Sequence, residues 1–81
     1  MLLNIEEPFW LDVARLAASD GTKGRMFAAL MSIASHSRDR LLQYPMISTS
    51  HAFRMGSLNV LFSLRDDAPG SVWVVGVERV V

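Results

Sequence analysis

The chain has 81 residues, of which 51% are hydrophobic and 20% are charged, and eight basic residues offset eight acidic ones. This length predicts one domain over residues 1–81, with enough apolar material for a packed core. Because there is no cysteine, disulfides, thiolate zinc sites and cysteine nucleophiles are excluded, which favours a cytoplasmic location. A net charge of zero disfavours nucleic acid or an anionic membrane as the main partner.

Neither a membrane span nor a targeting segment is predicted. No apolar run approaches the length of a span, and the opening MLLNIEEPFW has no basic residue ahead of its apolar ones. The apolar share is nevertheless high for so small a domain. We therefore expect a partner protein or a second copy of the chain to cover part of its surface.

The first predicted helix covers Pro8 to Ser19, where apolar side chains recur at helical spacing. Proline is well tolerated as the first helical residue, and a helix that begins at Pro8 leaves residues 2–6 free to form a short strand. The alternative start is Asn4, which has capping-box spacing with Glu7. A helix that begins there would remove the strand.

A second helix is predicted after a turn over residues 19–22, because apolar residues recur at helical spacing from Met26 to Ala34. Residues 38–43 can add one more helical turn before Pro45. The two main helices are expected to form a hairpin.

From Met46 onwards the apolar period changes from helical to two, which predicts strands. Residues 46–55 and 58–65 flank a hairpin turn at Gly56-Ser57, and residues 71–81 are apolar on both faces, as in a central strand. The predicted fold class is α+β. Its two-helix hairpin packs on a three- to four-stranded antiparallel sheet in the order (β)ααβββ.

The hairpin geometry predicts a polar row on the outer face of the sheet, by which we mean the face turned away from the helices. With Gly56-Ser57 at the tip, Arg54 lies opposite Asn59, and the next hairpin brings Glu78 beside Asn59. A slip of one residue in that second hairpin would turn Glu78 inward. The row is either a solvated surface with an ordinary ion pair or a shallow cup in which Arg54 holds a phosphate or a carboxylate.

Other candidate residues are sparse. His36 and His51 lie on different elements without a third nitrogen or sulfur ligand in reach, so no metal site and no cofactor are predicted. Apolar side chains on the helices form either core or a partner-binding groove. The members of this set are Phe9, Trp10, Met26 and Met31.

Three segments follow one another in the second half: RMGSLNVLF (54–62), RDD (65–67) and VWVVGVER (72–79). Together with the preceding helical pair, they resemble the RelE/ParE toxins of toxin–antitoxin modules. In that family an arginine and a glycine precede an aromatic strand, an acidic turn and a valine-rich strand. Arg54 and Gly56 match this pattern.

Four further positions compare with the family pattern as follows: Phe62 takes the place of the tyrosine, Arg79 that of the closing arginine, Asn59 that of the strand arginine and Glu78 that of the histidine. The resemblance implies binding residues at Arg54, Asn59, Arg65, Glu78 and Arg79. It implies a toxin-type protein that binds a gyrase-type target or a cognate antitoxin, whose segment packs between helices and sheet.

Ribosome-dependent RNA cleavage is not favoured, because family members with that activity are strongly basic. The expected protein is therefore not an enzyme, and an enzymatic version would be a RelE-like endoribonuclease. The alternative is a non-enzymatic interaction protein, such as a phage or mobile-element inhibitor or an assembly subunit.

Overall fold

The computed structural model describes residues 1–16 and 20–80. Within these ranges the elements are β1 (Leu2–Ile5), α1 (Glu7–Leu16), α2 (Asp20–Ser35), α3 (Arg38–Leu42), β2 (Met46–Ile47), β3 (Ser50–Met55), β4 (Leu58–Leu64) and β5 (Ser71–Arg79). The strands form a sheet in the order β1-β5-β4-β3-β2. The predicted α+β class is confirmed, with a five-stranded sheet that is mixed, because β1 runs parallel to β5.

Strand β1 settles the two alternatives for the start of the chain in favour of a strand. The Leu2 amide donates to the Gly70 carbonyl at 2.8 Å, and the Glu6 amide donates to the Val74 carbonyl at 2.9 Å. Helix α1 follows at once, with Pro8 in its first turn, where the missing N–H costs no helical hydrogen bond.

Two local predictions are corrected. The strand expected over residues 46–55 is divided, because the chain reverses at Ser48, which has a φ of 56°, and Ile47 pairs with Ser50. Alternation of apolar residues does not mark where a chain turns, and no glycine or proline signals this turn. The turn expected over residues 19–22 is also wrong in part, since Asp20–Thr22 are helical. Ser19 lies outside the described residues.

The core lies between the helices and one face of the sheet. Helices supply one side of it and alternate residues of the three long strands supply the other, as period-two burial requires. Its fully buried large side chains are Phe9, Ile33, Leu41, Val60, Phe62, Val72, Val74 and Val77.

Both histidines contact Tyr44 at one end of this core. The His51 Nδ1 lies 3.0 Å from the Tyr44 carbonyl, and the His36 Nε2 lies 3.1 Å from the Tyr44 hydroxyl. The Tyr44 ring meets Phe62 edge to face at 5.8 Å, and His51 stacks on Phe62 at 5.3 Å. The histidines therefore pack around Tyr44 and Phe62.

Helix α1 lies along the edge of β5 beyond the point where β1 ends. Strand β1 pairs with β5 only as far as Val74, and the Asp12 Oδ2 then accepts a hydrogen bond from the Val77 amide at 2.9 Å. The pairing between β4 and β5 shifts register at the same level, which leaves Val75 as the extra residue of a bulge. A Cβ at Gly76 would lie 2.9 Å from the same Asp12 oxygen.

We expect Gly76→Ala to lower the free energy of unfolding by about 1 kcal/mol, because the new methyl group displaces Asp12 and leaves the Val77 amide without its acceptor. Urea unfolding followed by circular dichroism measures the change. The matched control is Gly24→Ala in α2, where a Cβ meets nothing within 4 Å. This control should gain up to about 1 kcal/mol from helix propensity. Equal effects of the two substitutions would refute the role of Asp12.

Candidate functional site

The register predicted for the β3–β4 hairpin is confirmed, and that predicted for β4 and β5 holds from Leu58 to Leu61 but is shifted by one residue from Phe62 to Leu64. Arg54 pairs with Asn59 across β3 and β4, and Asn59 pairs with Glu78 across β4 and β5. The three side chains therefore form one row on the outer face, and the one-residue slip is excluded. Arg79 pairs with Leu58, a core residue, so it lies on the opposite face from this row.

Arg54 is exposed and turns toward its own hairpin. Its Nε donates to the Gly56 carbonyl at 3.2 Å, and the Arg54 side chain has no other hydrogen bond and no ion pair within the described residues. In particular, Arg54 and Glu78 do not form the ordinary ion pair that was one interpretation of the row. Glu78 is half-buried, and its side chain has no hydrogen bond or ion pair to any described residue.

Asn59 is the least exposed member of the row, at 8%. Its side-chain amide forms no hydrogen bond with any of the described residues. Among those residues, no fully buried side-chain nitrogen or oxygen lacks a partner, so the tip of the Asn59 amide still reaches the surface. The Asn59 amide is therefore open to water or to a ligand at the surface.

Next to this row the outer face carries small or apolar residues. The register places Ala52, Leu61 and Gly76 side by side across the same three strands. Ala52 and Gly76 are buried, and Leu61 is half-buried. The Asp12 carboxylate reaches this strip at Gly76. A ligand on the row would thus have an apolar surface beside it.

Arg65 lies at the other end of β4 and does not join the row. Its guanidinium carbon lies 4.2 Å from the centroid of the Trp73 ring, and its Nη2 is 3.9 Å from the Glu6 Oε1. The Arg65 carbonyl also accepts a hydrogen bond from Arg38 at 3.0 Å, and Arg38 pairs with Asp66 at 3.0 Å. These contacts attach the turn after β4 to α3.

A second surface lies between α1 and α2, where a groove of about 330 Å³ opens to solvent. We call it the interhelical groove, and its lining residues are Phe9, Trp10, Val13, Ala14, Lys23, Met26, Phe27 and Leu30. Phe9 and Met26 are buried. Trp10 and Phe27 are 55% and 66% exposed. Two exposed aromatic side chains therefore border an apolar groove.

The interhelical groove differs from the sequence-based expectation in place and in membership. It lies between the two helices, whereas the resemblance implied a site between helices and sheet. Met31 is exposed one helical turn beyond Phe27 but does not line the groove. Phe27 was not singled out, because it belongs to the same apolar run as the buried Met26 and only the packing shows which of them faces outward.

No family model, curated protein sequence or solved structure matches the chain. Within residues 1–16 and 20–80, no helix is long and apolar enough to span a bilayer, and no three His, Cys, Asp or Glu side chains are grouped as metal ligands. The observations define a small α+β domain with two candidate binding surfaces, the interhelical groove and the polar row of the outer face.

Proposed function

We propose that this protein is a cytoplasmic binding module of the RelE/ParE-like toxin type, which acts by holding a partner protein in the interhelical groove. The main support for this proposal is that Trp10 and Phe27 are exposed to solvent beside an apolar groove. Exposed apolar patches of this kind mark interaction sites, and aromatic side chains are enriched at the centres of protein interfaces.

The proposed occupant is an amphipathic helix of the partner that carries an acidic residue. Apolar grooves between helices accept the apolar stripe of another helix. Lys23 is the charged member of the lining set, and its side chain has no ion pair or hydrogen bond within the described residues. A carboxylate on the partner helix would pair with Lys23 at the edge of the groove.

One feature supports the toxin type, and two further features support binding in place of RNA cleavage. The order of a strand, two main helices and a strand meander agrees with the architecture that the resemblance implies. On the outer face, Asn59 and Glu78 occupy positions where the resemblance would place an arginine and a histidine. The net charge of zero also gives no general attraction to RNA. The partner is then a cognate antitoxin or a gyrase-type target.

Induced expression in a bacterial host tests this proposal. The wild-type protein should arrest growth, and the double substitution Trp10→Ser and Phe27→Ser should relieve the arrest, since loss of central aromatic residues typically costs about 2 kcal/mol or more of binding energy each. The control is Leu11→Ser. Leu11 is 62% exposed on α1 but does not line the groove, so the control should remain toxic. Circular dichroism should show all variants folded.

Each other outcome contradicts one part of the proposal. Growth arrest that survives the double substitution excludes the interhelical groove. Arrest accompanied by ribosome-dependent message cleavage means that the protein is a nuclease. Absence of arrest, with a partner still bound through the groove, means an interaction protein of another kind. A solution dimer that dissociates on the double substitution means that a second copy occupies the groove.

A further inference from the structure

Two acceptor groups without partners lie side by side on the outer face. Asn59 is 8% exposed with an unbonded amide, and the neighbouring Glu78 is a half-buried residue whose carboxylate is unpaired within the described residues. They are direct cross-strand neighbours, whose Cβ atoms lie about 4.5–5.5 Å apart in antiparallel sheets. One ligand group can therefore contact both side chains.

The charges around this pair favour a cation. Glu78 would repel a phosphate or a carboxylate placed over Asn59. Asp12 reaches Gly76 on this face but already pairs with Arg15 at 3.0 Å, so the Glu78 carboxylate supplies the negative charge at the pair. Arg54, the nearby positive residue of the row, is bonded to its own turn at the Gly56 carbonyl. These charges therefore disfavour the interpretation in which Arg54 holds a phosphate or a carboxylate over Asn59.

Among cations, the guanidinium group fits these acceptors best. It presents five N–H donors in a planar fork, so two can bond the Glu78 carboxylate while a third bonds the Asn59 amide oxygen. It is also less strongly hydrated than an ammonium group, which suits a half-buried site. The aliphatic part of an arginine side chain would lie along Ala52 and Leu61.

We propose that Asn59 and Glu78 form a binding site for an arginine side chain of a partner protein. This inference rests on the proposed protein-binding function, because the partner protein of that proposal would supply the arginine. The recognition chemistry itself depends only on the two side chains and the strip beside them. It is a second contact region, separate from the interhelical groove.

The test is a titration of the isotope-labelled protein with Nα-acetyl-L-arginine amide, followed by NMR of the Asn59 side-chain amide, which is assigned through its loss in Asn59→Val. We expect saturable shifts of the Asn59 amide and of the Glu78 backbone amide. Nα-acetyl-L-citrulline amide, which has the same shape without the charge, should leave both signals in place. Glu78→Gln should weaken binding about tenfold or more, because hydrogen bonds to charged groups are the strong ones.

A second variant tests the sign of the electrostatic argument. Arg54→Gln removes the nearby positive charge of the row and should tighten binding of the arginine derivative at low salt, by about twofold to threefold. The proposal is overturned if the arginine derivative gives no saturable shift, if citrulline acts equally well, or if Glu78→Gln changes nothing. Inorganic phosphate that moves the same two signals would assign the row to an anion. None of these measurements depends on growth arrest, so the two proposals fail separately.

Discussion

We expect Phe62→Ala to lower the free energy of unfolding by about 3–5 kcal/mol, the usual cost of removing a buried aromatic ring from a core. Phe62 is fully buried on β4, the middle strand of the sheet. Its ring contacts Tyr44 edge to face and stacks on His51, so truncation removes ring contacts as well as buried area. Small domains have about 5–15 kcal/mol in total, so the loss is a large part of the stability.

Urea unfolding measures this loss, with intrinsic fluorescence and circular dichroism as independent probes. The control is Leu42→Ala on α3, where the side chain is exposed and its truncation should change the free energy by about 0.5 kcal/mol or less. A loss below about 1 kcal/mol for Phe62→Ala would contradict the placement of Phe62 in the core.

Substitution of Asn59, in contrast, should stabilise the fold. We expect Asn59→Val to raise the free energy of unfolding by about 1–2 kcal/mol, because it removes an amide without a protein partner from a largely covered position and places a β-branched residue in a central strand. The same variant should lose the response to the arginine derivative. The polar row would then be retained for binding at a cost in stability, as is common at functional sites.

Thermal and urea unfolding of Asn59→Val check this gain. The matched control is Ser63→Val, on the same strand and the same face of the sheet, which tests how much of the gain comes from strand propensity alone. The gain for Asn59→Val should exceed that of the control. A loss of stability in Asn59→Val would mean that the Asn59 amide contributes to folding, and it would remove the reason to expect a ligand there.

Much of the sheet was predictable because local chemistry determines it. A two-residue turn at Gly56-Ser57 fixes every pair of the β3–β4 hairpin, and the alternation of apolar residues identifies which face is buried. The pairing of Arg54 with Asn59 follows from this turn, whereas the position of Glu78 depends on the bulge in β5, which the sequence left open. The resemblance to a toxin family stays a prediction.

The remaining features depend on contacts between distant parts of the chain. The bulge at Val75 is coupled to Asp12, and the sequence does not show that this carboxylate reaches the strand edge. The exposure of Phe27 depends on how α2 crosses the sheet, since Met26 and Phe27 are equally apolar. The unpaired state of Asn59 appears only when the positions of Arg54 and Glu78 are known.

The place of β5 in the sheet has a consequence for how the protein is made. Strand β5 is the last strand along the described chain, yet it lies between β1, the first strand, and β4. A ribosome that has not yet synthesised residues 71–79 therefore holds a chain whose first strand has no neighbour and whose Asn59 has no Glu78 beside it. Vectorial synthesis therefore completes the polar row only when β5 emerges, after the four other strands of the sheet have been made.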